Sequence, residues 1–323
     1  MRAVICRAWG AVETLTVEDV VPPAPGRGQV LIDVKATGVN YADAIMVAGK
    51  YQTRPAFPFS PGLETAGVVA ACGEGVTRFV PGDRVMAILA YGGLAELALA
   101  DEAETFAVPD AMPFDEAGAF PIAYMSSHVA IRWQGRLEAG ETLLVLGAAG
   151  GVGLTAVEIG KAMGARVIAG ASTTDKLAVA RERGADETVN YATENLTERV
   201  LALTGGKGAD VCFDPVGGEL FDAALSALGW GGRILLVGFV GGVPQIPANR
   251  LLVKHRAALG SSLRYFRWHA PDKLRRTVDE LFGWYGEGKL RPCITHRLPL
   301  GKSVEAIRLL TDRKAHGKIV VVP

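Results

Sequence analysis

The chain has 323 residues, 49% of them apolar, and its 34 basic side chains balance its 34 acidic ones. This length predicts two domains with sizeable cores. The zero net charge excludes recognition of a nucleic acid or membrane through a strong global field, and we expect neither as a partner. We find no secretory signal and no apolar run of the roughly 20 residues that span a bilayer.

The cysteine pattern indicates a reducing compartment. The four cysteines lie far apart in the sequence and form no Cys-x-x-Cys pair. We therefore expect free thiols in a cytoplasmic protein and no cysteine-based structural zinc site.

Residues 1–120 predict a β-rich, irregular, barrel-like domain. Strand-like apolar segments are separated by the turn dipeptides Pro61-Gly62 and Pro81-Gly82. The candidate strands cover residues 30–36, 65–71, 83–88, 94–100 and 104–108. The main early helix is expected over residues 40–47.

Residues 121–260 predict a Rossmann domain. Helices are expected at 115–119 and 123–132, interrupted by Pro121, and strands then alternate with helices. Repeated strand–helix units of this length imply a parallel sheet covered on both faces. The later part, 261–323, contains a helix within 270–287, a helix over 302–313 and a final strand over 317–322. We expect this segment to return to the first domain.

A glycine-rich turn follows the first strand of that alternating region. Residues 142–153 read TLLVLGAAGGVG, and helical spacing continues to Met163, with Gly164 placed to end the helix. Strand, glycine turn and helix form a dinucleotide-binding fingerprint, whose helix N-terminus attracts a pyrophosphate. The cofactor-binding set predicted here is Ala148, Ala149, Gly150, Gly151, Val152 and Gly153.

Two of these glycines have assigned roles. Gly150 lets the backbone approach the phosphates, and Gly153 lets the helix pack tightly on the strand. Ala148 occupies the place where the strict G-x-G-x-x-G pattern has its first glycine. An ordinary strand-to-helix turn is the alternative explanation.

The end of the second strand of this region favours NADPH over NADH. Proteins that prefer NAD usually carry an acidic residue there, but no carboxylate occurs before Asp175. The hydroxyl of Ser172 and the cation of Lys176 would bind a 2′-phosphate. The alternatives are a helix cap for Ser172 and Thr173 and a solvated surface position for Lys176.

Several motifs together resemble the zinc-independent group of the medium-chain dehydrogenase/reductase superfamily, specifically the NADPH:quinone oxidoreductase (zeta-crystallin-like) family. The resemblance runs almost from end to end. The matching stretches are 38–43 (GVNYAD), 49–51 (GKY), 61–64 (PGLE), 81–85 (PGDRV), 147–153 (GAAGGVG), 184–186 (GAD), 214–218 (DPVGG) and 317–320 (GKIV).

The resemblance implies an α/β protein with a Rossmann doubly wound parallel sheet and a β-rich chaperonin-10-like catalytic domain built from both ends of the chain. It also implies an NADPH site in the cleft between the domains, and a homodimer formed through the edge strands of two Rossmann sheets.

The residues argue against a catalytic zinc ion. Asn40-Tyr41 stands where zinc-dependent relatives carry an early cysteine, and Leu63 replaces their histidine. Glu64 remains, but one carboxylate does not provide the three protein ligands of catalytic zinc. Without a Lewis acid, hydride transfer to an electrophilic quinone or α,β-unsaturated carbonyl is favoured over alcohol oxidation.

The resemblance also suggests roles for Asn40, Tyr51 and Tyr191. Asn40 would orient the nicotinamide or bind the acceptor carbonyl; its alternative is a helix N-cap. Tyr51 matches a proposed proton donor of enoyl-thioester reductases; its alternative is a half-buried wall of the cleft. Tyr191 matches a tyrosine near the adenine-side phosphate, with edge packing as its alternative.

Val216, Gly238 and Phe239 follow later strands of the predicted Rossmann sheet. Ligands of such sheets bind at the carboxyl ends of the strands. We therefore expect backbone groups at Val216 and Gly238 to hold the carboxamide, and Phe239 to line the substrate pocket.

Three functions remain open at this point. The first is NADPH-dependent reduction of a small-molecule quinone or enone, and the second is reduction of an enoyl thioester with a proton from Tyr51. The third is nucleotide or nucleic-acid binding without turnover, supported only by the aromatic and basic residues 264–269 (RYFRWH). The zero net charge favours a structural explanation for that segment, with its aromatic rings filling a groove.

Overall fold

A computed structural model describes residues 1–323. The chain divides into two compact units, the first formed by residues 1–122 and 292–323 and the second by residues 123–291. No helix combines the length and the apolar character that crossing a membrane requires.

The secondary structure consists of strands and helices with a few short 3₁₀ turns. The strands are β1 (Arg2–Ile5), β2 (Thr16–Asp19), β3 (Gln29–Val39), β4 (Glu64–Cys72), β5 (Arg84–Ile88), β6 (Leu97–Asp101), β7 (Thr105–Ala107), β8 (Thr142–Leu146), β9 (Arg166–Ala171), β10 (Glu187–Asn190), β11 (Ala209–Asp214), β12 (Leu228–Leu236), β13 (Ala257–Gly260), β14 (Ile294–Pro299) and β15 (Lys318–Val322). The α-helices are α1 (Tyr41–Val47), α2 (Phe114–His128), α3 (Gly151–Ala162), α4 (Thr174–Glu182), α5 (Leu196–Leu203), α6 (Glu219–Ala227), α7 (Ala248–Val253), α8 (Leu263–His269), α9 (Pro271–Gly286) and α10 (Ser303–Thr311).

The first unit is organised around β3, the longest strand. Its sheet has the order β14-β15-β3-β4-β5-β7, and β6 also pairs with β3. Val30, Ile32 and Val34 point to one face of β3 and are buried there, as a period of two requires. The C-terminal strand β15 pairs with β3 in antiparallel register, Ile319 opposite Val39, so the chain end returns to the first unit as expected.

The second unit contains the predicted Rossmann sheet. Its six strands lie in the order β10-β9-β8-β11-β12-β13 and pair in parallel throughout. The central strand β8 is buried on both faces, because Leu143, Leu144, Val145 and Leu146 are all 0% exposed. A parallel sheet covered by helices on both faces requires such continuous apolar strands. The α/β fold class is confirmed.

The return to the first unit was placed too early at residue 261. Residues 261–291 belong to the second unit, and the return begins at Pro292. Helix α9 explains the difference: its buried side chains Leu274, Val278 and Leu281 pack in this unit. The indole N–H of Trp133 also donates to Thr277 Oγ1 at 2.9 Å. An amphipathic pattern identifies a buried face, but not the core against which it packs.

The sequence predicts that Pro121 separates two helices, and this prediction is wrong. Pro121 lies inside the continuous helix α2. A π-helical segment, Val129–Gln134, follows directly. A proline removes one helical hydrogen bond, and support from outside the helix can offset that loss. Such support is present here, since the amide of Ile122 donates to the buried Glu64 Oε2 at 2.7 Å.

Glu158 on α3 accepts hydrogen bonds from residues at both ends of the second unit. This side chain is 3% exposed, and its Oε2 accepts from the hydroxyl of Tyr124 at 2.6 Å and from the amide of Arg291 at 3.3 Å. Its Oε1 lies 3.3 Å from Nη1 of Arg183. Burial raises the pKa of Glu158 to about 7, although these three donors oppose the shift.

Candidate functional site

The glycine turn after β8 has the geometry of a phosphate-binding loop. Gly147 adopts φ +58°, a left-handed conformation that favours glycine. A Cβ on Gly153 would overlap the carbonyl oxygen of Gly147 and lie 2.8 Å from its carbonyl carbon, so close packing requires glycine there. A Cβ on Gly150 would meet only that oxygen, at 3.3 Å. Gly153 therefore has no room for a side chain, whereas Gly150 has one close contact.

The start of α3 supplies the donors for an anion. Its first intrahelical hydrogen bond runs from Leu154 N to Gly150 O at 2.8 Å, so the amides of Gly151, Val152 and Gly153 have no acceptor within the helix. Ala148 differs, because its amide already donates to Gly170 O at 3.0 Å. The side chains of Ala148 and Ala149 are buried, so any phosphate contact at these alanines would use backbone atoms.

Ser172 and Lys176 lie where β9 ends and α4 begins. Ser172 follows the last residue of β9 and is half-buried, and Lys176 lies in the first turn of α4. The helix cap is Thr173, whose Oγ1 accepts from the amide of Lys176 at 3.4 Å. The alternative of a helix cap, which the sequence offered for both Ser172 and Thr173, is therefore confirmed at Thr173. No carboxylate lies between β9 and Asp175.

The remaining predicted residues of the second unit follow neighbouring parallel strands. Tyr191 comes after β10, Val216 after β11, and Gly238 and Phe239 after β12, so all lie at the carboxyl edge of one sheet with the glycine turn. A Cβ on Gly147 would lie 3.2 Å from Val216 Cγ2, which places Val216 beside that turn.

These four residues differ in exposure. Tyr191 packs against the core cluster of the sheet, as its structural alternative predicts. The ring of Phe239 is 46% exposed.

Asp214 positions the turn that carries Val216. Its Oδ1 accepts from the amides of Val216 and Gly217, both at 2.8 Å, and the residue is 0% exposed. Burial raises the pKa of this carboxyl group, and the two amides oppose the shift.

In the first unit, Asn40 belongs to a buried polar cluster. Its backbone amide donates to Asp43 Oδ2 at 2.7 Å at the start of α1, so the predicted helix-cap geometry is present. Its side-chain Nδ2 donates to Glu64 Oε1 at 2.8 Å. The Lys318 ammonium lies 2.7 Å from both Asn40 Oδ1 and Glu64 Oε1. We call Asn40, Asp43, Glu64 and Lys318 the Lys318 cluster.

Gly38 makes room for this cluster. A Cβ at Gly38 would overlap Glu64 Oε1 and lie 2.6 Å from the carbonyl oxygen of Gly118. Any larger residue would push the Glu64 carboxylate away from its partners. The glycine is therefore required by close approach, although its backbone is ordinary extended strand.

Asp43 is fully buried within this cluster. Burial raises the pKa of its carboxyl group from 3.8 to about 7. The amide of Asn40 and the ammonium of Lys318 oppose the shift, whereas the negative charge of Glu64 adds to it. Asp43 therefore titrates close to neutral pH.

The donor set around Glu64 does not fit zinc. The adjacent Leu63 is a buried apolar residue, and Glu64 is already bound to the cation of Lys318. Nowhere in the chain do three or more His, Cys, Asp or Glu side chains converge in a metal-binding arrangement.

Tyr51 is half-buried and packs against the core cluster that includes Phe59 and Leu63. Further aromatic rings lie beside this cluster, with Trp9 4.5 Å from Phe57 and 5.6 Å from Phe59 between ring centroids. Trp9 and Phe57 are 37% and 41% exposed. The first unit thus carries a partly exposed aromatic surface near Tyr51.

The aromatic and basic segment 264–269 forms most of helix α8. Its cations contact its own rings, since the guanidinium groups of Arg264 and Arg267 lie 5.1 and 5.4 Å from the Trp268 ring. Tyr265 packs edge-on against Trp268 at 5.7 Å. Tyr265 and Trp268 are, however, 49% and 50% exposed, so these two rings do not fill a groove as the structural explanation predicts.

Comparison with known proteins identifies the family. Residues 26–110 match the alcohol dehydrogenase GroES-like domain, and residues 151–281 match the zinc-binding dehydrogenase family. A Nematostella vectensis protein named quinone oxidoreductase-like protein 2 homolog is 38% identical over 99% of this chain and 88% of its own. The chain is a medium-chain dehydrogenase/reductase of the quinone oxidoreductase group.

Solved structures of this family superpose on the whole chain. The Escherichia coli quinone oxidoreductase in complex with NADPH has a TM-score of 0.94 at 27% identity, with 100% of both chains covered. A mycobacterial protein in complex with NADPH also has a TM-score of 0.94, at 31% identity and the same coverage.

The sequence did not assign functional roles to Lys318, Asp43 or Asp214. In the sequence, Lys318 and Asp43 stand out only as members of the stretches 317–320 and 38–43. One feature of the sequence could have identified Lys318 as a buried charge, because this lysine directly precedes four consecutive valine or isoleucine residues. Buried charges in such strands are paired, but the sequence does not name the partner.

We expect alanine to affect mainly stability at one glycine of the phosphate loop and mainly NADPH binding at the other. Gly153→Ala should lower the free energy of unfolding by about 1–3 kcal/mol, because its Cβ meets fixed backbone atoms. Gly150→Ala should cost less stability, because its Cβ meets a single carbonyl oxygen at 3.3 Å. It should weaken NADPH binding about tenfold, since the methyl group hinders the approach of the phosphates to the backbone. Chemical denaturation and nucleotide titration measure the two effects, and equal stability losses would contradict this division.

Asp43→Asn should change how stability depends on pH. A raised carboxyl pKa contributes stability below the unfolded value of 3.8, and this contribution is lost as the pH rises through about 7. The free energy of unfolding of the wild type should therefore fall relative to Asp43→Asn between pH about 4 and about 7. Urea denaturation across this range tests it, and a difference that does not vary with pH would refute the raised pKa.

Proposed function

We propose that this protein is an NADPH-dependent oxidoreductase that transfers hydride to a quinone or another α,β-unsaturated carbonyl acceptor without a metal ion. The observation that carries the proposal is the glycine turn with its unbonded helix amides, followed by a β9 end that lacks an acidic residue. Relatives across the full chain are named quinone oxidoreductases, and two solved relatives bind NADPH.

The second unit would hold the cofactor through backbone and side-chain groups. The amides of Gly151, Val152 and Gly153 face the pyrophosphate, and Ser172 with Lys176 binds the 2′-phosphate. Tyr191 packs on the adenosine side, while Val216, Gly238 and Phe239 lie at the strand ends expected to border the nicotinamide. NADPH, when bound, supplies the hydride.

The first unit would bind the acceptor. Asn40 donates from its amide to the acceptor carbonyl, and Tyr51 lies in the same core region as a potential proton donor. A planar, apolar acceptor fits the partly exposed rings of Trp9 and Phe57. Reduction of such an electrophilic acceptor needs no Lewis acid, in agreement with the donor set around Glu64.

Reduction of an enoyl thioester is the second candidate function, and Tyr51 favours it, since a phenol can protonate the enolate formed after hydride addition. The third candidate, binding without turnover, rests only on the side chains of α8, whose guanidinium groups and aromatic rings contact one another.

We also propose a homodimer in the cytoplasm. Strand β13 is one of the two edge strands of the six-stranded sheet. Trp230 on the neighbouring strand β12 is 76% exposed, and its ring lies 5.3 Å from that of His255. Leu252 and Val253 at the end of α7 are 78% and 76% exposed. An open edge with exposed apolar side chains favours pairing with a second copy. The free cysteines suit a reducing compartment.

The decisive experiment is oxidation of NADPH and NADH against quinones, enones and enoyl thioesters, with and without a chelator. Turnover that survives chelation and prefers NADPH supports the proposal, and the preferred acceptor separates the first two candidate functions. Nucleotide binding without oxidation of any acceptor would favour the third candidate.

Lys176→Ala should weaken NADPH selectively. Loss of a charge-assisted contact to the 2′-phosphate should raise the KM for NADPH about 10- to 100-fold, whereas the KM for NADH should stay within about twofold. Steady-state kinetics with each nucleotide measures the ratio. The Thr173 cap uses the backbone of residue 176 and remains intact, so an equal loss for both nucleotides would contradict the assignment.

Tyr51→Phe separates quinone reduction from enoyl reduction. If Tyr51 donates a proton, the variant should lose about 10²- to 10⁴-fold in kcat with an enoyl thioester, while quinone reduction, which can take its protons from water, should change little. Stopped-flow oxidation of NADPH with each acceptor gives both rates. Unchanged reduction of the enoyl thioester would remove Tyr51 from this role.

A further inference from the structure

The Lys318 ammonium uses all of its hydrogen-bonding capacity inside the protein. Its Nζ lies 2.7 Å from Glu64 Oε1, 2.7 Å from Asn40 Oδ1 and 3.2 Å from Val39 O. An ammonium group has three donors, so these three acceptors satisfy it. Lys318 is 6% exposed and Glu64 is 0% exposed. Lys318 can therefore influence a ligand only through its neighbours.

These contacts determine the orientation of the Asn40 amide. An ammonium group only donates, so the amide atom that faces Lys318 must be the oxygen. A carboxylate only accepts, so the atom that faces Glu64 must be the nitrogen. Asn40 is held from both sides, with one contact of 2.7 Å and one of 2.8 Å.

One amide hydrogen of Asn40 is only weakly engaged. The second contact of Nδ2 is to Gly38 O at 3.3 Å, longer than a typical N–H···O bond. Asn40 is also half-buried, whereas Asp43, Glu64 and Lys318 are buried. The member of the cluster that a ligand can reach is therefore Asn40, and the group that it offers is an N–H donor.

The cation strengthens that donor. A positive charge 2.7 Å from Oδ1 draws electron density from the amide nitrogen and makes its N–H groups better donors. Hydrogen bonds in series polarise one another, and the effect is larger in a buried environment than in water.

We propose that Lys318 is a positioning residue for hydride transfer, which orients and polarises the Asn40 amide toward the carbonyl oxygen of the acceptor. The proposal rests on the proposed function, because it requires Asn40 to face the acceptor. With an enone, the hydride forms a new C–H bond, the displaced π electrons move to the carbonyl oxygen, and a proton from water or Tyr51 completes the reduction. A preorganised N–H donor stabilises the negative charge that develops on that oxygen.

A purely structural role is the competing explanation. The pair of Lys318 and Glu64 also joins β15 to the start of β4, and removal of one partner would leave a buried charge alone. Loss of activity in Lys318→Met alone would therefore not separate the two roles. The test needs a variant in which both charges are removed together.

The experiment compares the double variant Lys318→Met/Glu64→Gln with the wild type. We expect the folded double variant to bind NADPH with unchanged Kd, but to show a kcat with a quinone that is about 10- to 100-fold lower. The matched control is Arg233→Met/Glu141→Gln, which removes a 2.7 Å ion pair of the second unit and should keep the wild-type kcat. Lys318→Arg, which keeps the cation, should recover part of the activity.

A double-mutant cycle identifies the route of the effect. In an Asn40→Ala background, the same double replacement should lower kcat no further, because the group through which Lys318 acts is gone. A folded double variant with wild-type kcat, or an equal additional loss in the Asn40→Ala background, would overturn the proposal.

Failure of the proposed function can be distinguished from failure of the role proposed for Lys318. If the wild type oxidises NADPH but Asn40→Ala keeps full kcat, the function stands and the role of Lys318 falls. If the wild type fails to oxidise NADPH with every acceptor in the panel, both proposals fall.

Discussion

The buried ion pair between Lys318 and Glu64 is the constraint on which the first unit depends. It joins residues that are far apart in sequence, because the last strand, the start of β4 and the cap of α1 all meet at one ammonium group. Burying a charge is costly unless a partner and further hydrogen bonds compensate for it. Both conditions are met here, and Gly38 supplies the space that they require. The native polar cluster therefore requires the last strand to be in place beside β3.

In the second unit, the main constraint is that an anion must reach the backbone at the end of a buried strand. Parallel pairing brings the carboxyl ends of β8, β9, β10, β11 and β12 to one edge, and the chain leaves each strand there in a turn. Gly153 allows α3 to press on the turn, so the helix amides are fixed before any ligand arrives. Preorganisation of this kind lowers the cost of binding. The second unit thus depends on close backbone packing at Gly153, whereas the first unit depends on a buried ion pair.

Sequence reasoning succeeded where structure depends on local pattern. The alternating strands and helices of the Rossmann region followed from apolar runs and glycines, and the final strand was predicted over 317–322, where β15 forms. The boundary at 291 was missed because α9 shows which face it buries, but not the core that receives it. Lys318 was missed for a related reason. The role of a buried charge is set by partners distant in sequence, such as Glu64, and no periodicity encodes that pairing.

The two hydrogen bonds that Glu158 accepts from Tyr124 and Arg291 have a topological consequence. Both donors lie within one residue of an end of the second unit, so the two ends of that unit are held against the same carboxylate. A unit whose ends lie side by side can interrupt another chain without stretching it, which is how inserted domains are accommodated. Residues 123–291 therefore begin and end side by side, and the chain enters them through the continuous helix α2.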